Sequence, residues 1–161
     1  MSELSDSAQA RVLLGDFASV DPAGKITVIG AGWTVTGVGQ LGGTAPNAVM
    51  AFIDVPSKFY GDSCSVELAL FDDTGTPVNM PGQGAIRAAQ IAKIERPSVP
   101  GAPSLPPDFP SRIQILMNFP VGLPLAAGQR YTWRLQIDGN SRPDWEAYFY
   151  VLGPPPSPVI G

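Results

Sequence analysis

The sequence contains no histidine, and this absence removes several classes of catalytic and metal site. Nucleophilic machinery of the Ser-His-Asp or Cys-His type requires an imidazole, as do zinc and iron sites with histidine ligands. There is a single cysteine, Cys64, so no disulfide forms within the chain. A lone cysteine at the start of an apolar strand is typical of a small buried side chain rather than of a nucleophile.

Charge is scarce as well, because charged residues make up 15% of the chain and the net charge is −4. The lysines and arginines are scattered and form no basic cluster in the sequence. Binding of nucleic acid depends on such clusters, so we expect no nucleic-acid partner. A sparsely charged surface indicates instead that part of the exterior is covered by another protein.

Long apolar runs are missing too. No segment approaches the roughly 20 apolar residues of a membrane helix, and the acidic, polar start of the chain lacks the apolar core of a signal peptide. We therefore expect no membrane partner. The expected location is a bacterial cytoplasm, or a particle assembled in one.

Carboxylates offer the remaining route to catalysis. Asp72 and Asp73 are adjacent, and Asp138 and Asp144 flank a predicted turn. All four lie in turn sequences, where aspartate accepts hydrogen bonds from the backbone. An enzyme that relied on them would need a carboxyl pKa raised by burial. We predict that the protein is not an enzyme.

A glycine-rich stretch between residues 30 and 43 resembles a phosphate-binding loop only superficially. Such a loop opens a helix, whereas here the apolar segment 47–55 follows, which has the pattern of a buried strand. The sequence predicts an irregular loop over 34–46 and no nucleotide or other cofactor.

The most informative feature that is present is a β-hairpin over residues 129–152. Apolar and polar side chains alternate along its first half, which is the period of a half-buried strand. Residues 138–141, with the sequence Asp-Gly-Asn-Ser, supply the turn. The inward positions are predicted to be Tyr131, Trp133, Leu135 and Ile137, then Trp145, Ala147, Phe149 and Val151.

Glycine and proline, 18 of each, separate further short apolar segments. Strands are predicted over 11–17, 25–33, 47–55, 64–71 and 112–119. Residues 84–95 fit neither the helical nor the strand period, and we assign them as a strand because their neighbours are strands. The pattern predicts an all-β fold, an antiparallel β-sandwich of about seven to nine short strands, with a closed barrel as the alternative.

The expected organisation is a single domain with two extensions. Residues 1–9 are predicted to be a flexible leader, 10–152 the β-sandwich, and 153–161 an extended proline-rich tail. Within the domain, residues 96–110 contain six prolines and predict a stiff surface connection.

Two tyrosines and the tail form the candidate interaction surface. Tyr148 and Tyr150 have the opposite parity to the inward residues of their strand, so they are predicted to be exposed. Exposed tyrosines stack on sugars or are buried against another subunit, and the low charge favours the subunit. The tail contributes Pro154, Pro155, Pro156, Val159 and Ile160.

Two segments, GKITVIGAGWTVTG and GQRYTWRLQIDGNSRPDWEAYFYV, resemble an uncharacterised family of small β-sandwich proteins from actinobacteria and their phages. The resemblance spans most of residues 11–151 and carries no catalytic residues with it. It implies a β-sandwich and a source among these bacteria or their phages.

These observations together predict a non-enzymatic structural protein, an accessory or decoration component of an actinobacteriophage virion, in the capsid or the tail. Its partners would be other copies of itself or the major capsid or tail protein, in an oligomeric assembly. The alternative is a soluble bacterial binding module for a carbohydrate or peptide.

Overall fold

A computed structural model describes residues 2–154 and 158–161. These residues form one short helix and twelve strands, so the all-β prediction is confirmed. Eight strands make two large sheets, and four short ones make two small ladders. The number exceeds the predicted seven to nine because the four ladder strands, each two to four residues long, add to the strands of the large sheets.

The smaller of the two large sheets has three antiparallel strands, β1 (Gln9–Gly15), β5 (Asn47–Val55) and β10 (Ser111–Phe119), with β5 in the middle. Strand β5 is apolar on both sides and buried along most of its length, as expected of a central strand. Its predicted bounds are confirmed.

The larger sheet has five strands in the order β4 (Val35–Gly37), β12 (Glu146–Leu152), β11 (Gln129–Ile137), β6 (Ser63–Phe71) and β9 (Arg87–Lys93). Strands β11 and β12 are the predicted hairpin. Asp138 and Gly139 both have positive φ, as a two-residue hairpin turn requires. Trp145 is buried, but it lies in the 3-10 turn Pro143–Trp145 rather than on the return strand.

One expectation about this sheet is wrong. Residues 34–46 are not wholly irregular, because β4 forms within them and pairs in parallel with β12. The five-stranded sheet is therefore mixed and not purely antiparallel. The pairing joins segments that are far apart in the sequence, so no local pattern reveals it.

Side chains of both large sheets meet in one hydrophobic core. Trp133 of the larger sheet stacks on Phe119 of the smaller one, with the ring centroids 5.8 Å apart. The four inward side chains predicted for β11 are all buried. The fully buried members of the cluster include Val49, Ala51, Ile53, Val55, Leu68, Leu70, Trp133, Leu135, Ile137 and Val151.

A hairpin of β2 (Phe17–Val20) and β3 (Ile26–Ile29) covers the outer side of the three-stranded sheet. Ala18 of the hairpin packs with Ala48 and Met50 of β5, and all three are fully buried. The amide of Asn118 donates to the carbonyl of Ala18 at 2.6 Å and accepts from its N–H at 3.1 Å. The predicted strand 11–17 is divided, because β1 ends at Gly15 and β2 begins at Phe17. The predicted strand 25–33 is shorter than expected, because β3 covers only Ile26–Ile29.

The predicted flexible leader, residues 1–9, is wrong for its described part. Residues Glu3–Ser7 form helix α1, which Ser2 caps, and Leu4 and Ala8 enter the main core. The Ser2 hydroxyl also donates to Asp138 at the tip of the β11–β12 hairpin, at 2.9 Å. The start of the chain is therefore part of the domain.

Residues 84–95 are extended, as predicted, and contain β8 (Gly84–Ala85) and β9. Strand β8 pairs with β7 (Asn79–Met80). No helix or strand occurs over 96–110. That connection is tied to the domain where the hydroxyl of Tyr60 donates to the carbonyl of Phe109.

Candidate interaction surface

The adjacent carboxylates Asp72 and Asp73 lie in a turn, as predicted. One oxygen of Asp72 accepts from the Thr74 hydroxyl at 2.7 Å and from the backbone N–H groups of Thr74 and Thr76 at 2.9 and 3.0 Å. The bond from the Thr74 side chain, followed by that from the Thr76 N–H, lowers the pKa of Asp72. This shift of Asp72 is opposite to the raised pKa that a general acid would need.

The carboxylates at the hairpin tip are likewise engaged in local structure. Asp138 accepts from Ser2 and from the N–H of Ser65, so it links the N-terminus and β6 to the turn. Asp144 pairs with Arg142 through two hydrogen bonds of 3.1 and 2.8 Å, and this contact lowers its pKa. Over residues 2–154 and 158–161, no three His, Cys, Asp or Glu side chains come together as a set of metal ligands.

Cys64 is buried at the start of β6, next to Ser63. Burial, and secondly the charge of Asp138, raises the pKa of its thiol to about 11. Nucleophilic cysteines have a lowered pKa, because the thiolate is the reactive form. The geometry favours the structural role that the sequence indicates.

The outer face of the five-stranded sheet carries the predicted tyrosines. Tyr148 and Tyr150 are 57% and 41% exposed and project from β12 on the same side. Tyr150 lies opposite Val35 of β4 and opposite Arg130 of β11, and Leu152 continues the row along β12. We call this set, Val35, Arg130, Tyr148, Tyr150 and Leu152, the tyrosine face.

Two ion pairs lie on this side of the sheet. Arg134 bonds Glu146 at 2.7 Å, and Arg87 bonds Glu67 at 3.0 Å. Arg130 lies over the ring of Tyr148, with its guanidinium carbon 5.0 Å from the ring centroid. The tyrosine face is consequently an apolar and aromatic patch with one arginine, beside a polar area that contains two ion pairs.

Val159 and Ile160 of the tail do not pack against this patch. Pro154 is exposed, and Val159 and Ile160 are 95% and 94% exposed, so these two side chains pack against nothing in the described chain. Pro155 and Pro156, also predicted to take part, lie outside the described residues. The structure therefore brings Tyr148 and Tyr150 together but does not join Val159 or Ile160 to them.

Two apolar members of the tyrosine face, Val35 and Leu152, are absent from the sequence prediction. Leu152 shares the parity of Tyr148 and Tyr150, so the alternation already contained the signal for it. Val35 reaches the face through the parallel pairing of β4, for which the sequence carries no comparable signal.

Comparison with known proteins adds little. No family model and no curated protein matches the sequence. Among solved structures, Pseudomonas fluorescens alkylpurine DNA glycosylase AlkC bound to DNA containing an abasic site analog aligns with a TM-score of 0.35 and 13% identity. The alignment covers 89% of this chain and 30% of that one, so this chain spans less than a third of the glycosylase. A likeness of this degree carries no inference about the fold or the function. No helix of the described residues is long and apolar enough to cross a membrane.

Proposed function

We propose that this protein is a non-enzymatic structural subunit that binds neighbouring protein subunits through the tyrosine face. The observation that carries the proposal is the pair Tyr148 and Tyr150, exposed side by side among apolar neighbours on a broad sheet face. Tyrosine is enriched where protein interfaces bury aromatic side chains, and an exposed apolar patch with a polar surround is typical of such interfaces.

The assembly we propose is the virion of an actinobacteriophage, put together in the cytoplasm of the host, with this chain as an accessory or decoration component of the capsid or tail. The sequence resemblance and the low charge support this setting. The partner would be another copy of the chain or the major capsid or tail protein. We infer that the two large sheets form a β-sandwich, as their shared core supports, with the parallel strand β4 at one edge.

A binding module for a carbohydrate or peptide is the second candidate, because exposed tyrosines can stack on sugars. Tyr148 and Tyr150 stand two residues apart, about 7 Å along the strand. Stacking of a sugar needs a free ring face. The guanidinium of Arg130 already lies over the ring of Tyr148, and a sugar on that side would have to displace it. This contact favours the protein partner.

The native mass of the protein in a gently prepared lysate of its source tests the proposal, by size separation with specific detection. We expect the wild-type chain to migrate with very large particles. The double variant Tyr148→Thr/Tyr150→Thr keeps residues of high β propensity and should leave the particle fraction.

Phe17→Thr is the matched control, since Phe17 is an exposed aromatic residue on the β2–β3 hairpin. It should migrate as the wild type does. Migration of the wild type as a single chain near 16.9 kDa would refute the structural role, and a rise in its melting temperature with added oligosaccharide or peptide would establish the second candidate.

A further inference from the structure

Strand β9 is an edge of the five-stranded sheet, and among the residues that the structure describes its backbone pairs only with β6. The N–H of Ile94 donates to Asp62, and the carbonyl of Ile86 accepts from Leu70. Because antiparallel pairing alternates, the residues of β9 with even numbers bond β6 and those with odd numbers direct their N–H and C=O away from it. Arg87, Ala89, Ile91 and Lys93 therefore present these groups along the free edge.

This edge is open to solvent. Ala89, Gln90 and Ile91 are exposed in succession, and Ile91 is 75% exposed. Strand β10, which approaches β9 from the other sheet, pairs with no described strand except β5. An exposed edge of seven residues is a template for a further strand unless charges or bulges prevent the pairing, and the two charged residues of β9, Arg87 and Lys93, lie at its ends.

We propose that β9 pairs in antiparallel fashion with β9 of a second copy, around a two-fold axis at Ile91. In this register Ile91 lies opposite Ile91 of the second copy, and Arg87 lies opposite Glu95 of the second copy. The axis repeats both contacts, so one hydrophobic pair is flanked by two pairs of opposite charge.

Neighbouring registers of the same strand are less favourable. A shift that places the axis at Gln90 sets Arg87 opposite Lys93 of the second copy, and like charges directly opposite each other destabilise a sheet. A shift to Ala89 sets Arg87 opposite Ile91. The register at Ile91 is the one of these three in which charges of opposite sign face each other.

A two-fold axis perpendicular to the sheet leaves both outer faces on the same side. The paired copies would then share one continuous sheet with a tyrosine face near each end. The pairing does not require the tyrosine face to bind anything, so its test is independent of the test of the proposed function.

Sedimentation of the purified full-length chain, up to about 1 mM, provides the first test. We expect a reversible dimer. Ala89→Pro removes one outward N–H from each copy without touching the bonds to β6, and it should raise the dissociation constant about tenfold or more. Ile91→Lys should do the same by placing two positive charges at the axis.

Gln136→Lys is the control for Ile91→Lys, because it adds the same charge on β11 in the interior of the sheet. It should leave the dissociation constant unchanged. A chain that stays monomeric throughout the concentration range overturns the proposal. So does a dimer that neither β9 variant weakens.

The register is tested with a short thiol cross-linker on Ile91→Cys and, as its control, Ala89→Cys. In the proposed register the two Cα atoms at 91 are about 5.5 Å apart, whereas those at 89 are offset by about 13 Å along the strands. The native Cys64 is buried and should not react. Dimers cross-linked at 91 and not at 89 support the register, and equal or reversed yields contradict it.

Discussion

The outer faces of the two large sheets differ in what covers them. On the three-stranded sheet, the outward apolar residues Ala48 and Met50 are fully buried beneath the β2–β3 hairpin. On the five-stranded sheet, Tyr148 and Tyr150 occupy outward positions in the same alternating fashion, and they remain exposed. Within residues 2–154 and 158–161, the chain thus provides a cover for one sheet and leaves the other open.

The same pattern, a row of outward apolar side chains on a strand, therefore has two roles in this molecule. Covering such a row is favourable, because burial of apolar area contributes about 25 cal/mol per Å². Where a hairpin of the same chain supplies the cover, the apolar residues stabilise the fold. Where none does, as at the tyrosine face, a partner protein is the cover that we propose.

The comparison of the two outer faces assumes that the inner faces of both sheets share one core. Trp133→Ala tests this assumption, and we expect it to have the largest effect on the free energy of unfolding. Trp133 is fully buried and stacks on Phe119 across the two sheets. Its removal should lower the free energy of unfolding by about 3–5 kcal/mol. Unfolding in denaturant measures it, with Tyr148→Ala as the control, which should cost about 1 kcal/mol or less. A cost for Trp133→Ala as small as that of the control would contradict the shared core.

Asn118→Ala should weaken the attachment of the β2–β3 hairpin to the three-stranded sheet without disturbing the shared core. The variant loses both hydrogen bonds to the backbone of Ala18, which is fully buried, so we expect a loss of about 1–3 kcal/mol in the free energy of unfolding. Faster hydrogen exchange should appear in β2 and β3 but not in β11 and β12. Asn79→Ala, an exposed asparagine on β7, should have little effect. Uniform loss of protection over both sheets would show that the hairpin is not a separate cover.

A smaller change in the free energy of unfolding is expected from ionisation of Cys64 at high pH, because its burial favours the neutral thiol. The pKa of the folded state is raised from the ordinary value of 9.0 to about 11, so this contribution to stability is complete below pH 9.0. It should be lost as the pH rises from 9.0 towards 11, because the unfolded chain releases the thiol proton first. Denaturant unfolding measured across this range should show a fall that Cys64→Ala lacks. An equal fall in both chains would assign the effect to other groups.

The parts of the fold that local patterns encode could be predicted from the sequence. The hairpin of β11 and β12 follows from the alternation of apolar and polar residues on either side of turn residues 138–141, and β5 follows from an apolar run. The exposure of Tyr148 and Tyr150 comes from the same alternation. Each of these features depends on neighbours within a few residues.

Features that depend on distant segments could not be predicted in this way. The parallel pairing of Val35 with Tyr150 has no local signature, and neither does the attachment of Asn118 to Ala18. Helix α1 is too short for its pattern to stand out, and its order comes from tertiary contacts such as Ser2 with Asp138. The tyrosine face was accordingly predicted only in part.

Hydroxyl-radical footprinting of Tyr148 and Tyr150 tests the central claim, that a partner covers the open face of the five-stranded sheet. The purified chain and the chain in the particle fraction of its source would be labelled side by side, with Phe17 as the internal reference. We predict strong labelling of both tyrosines in the purified chain and marked protection in the particle fraction, while Phe17 is labelled equally. Equal labelling of Tyr148 and Tyr150 in the two samples would contradict the claim.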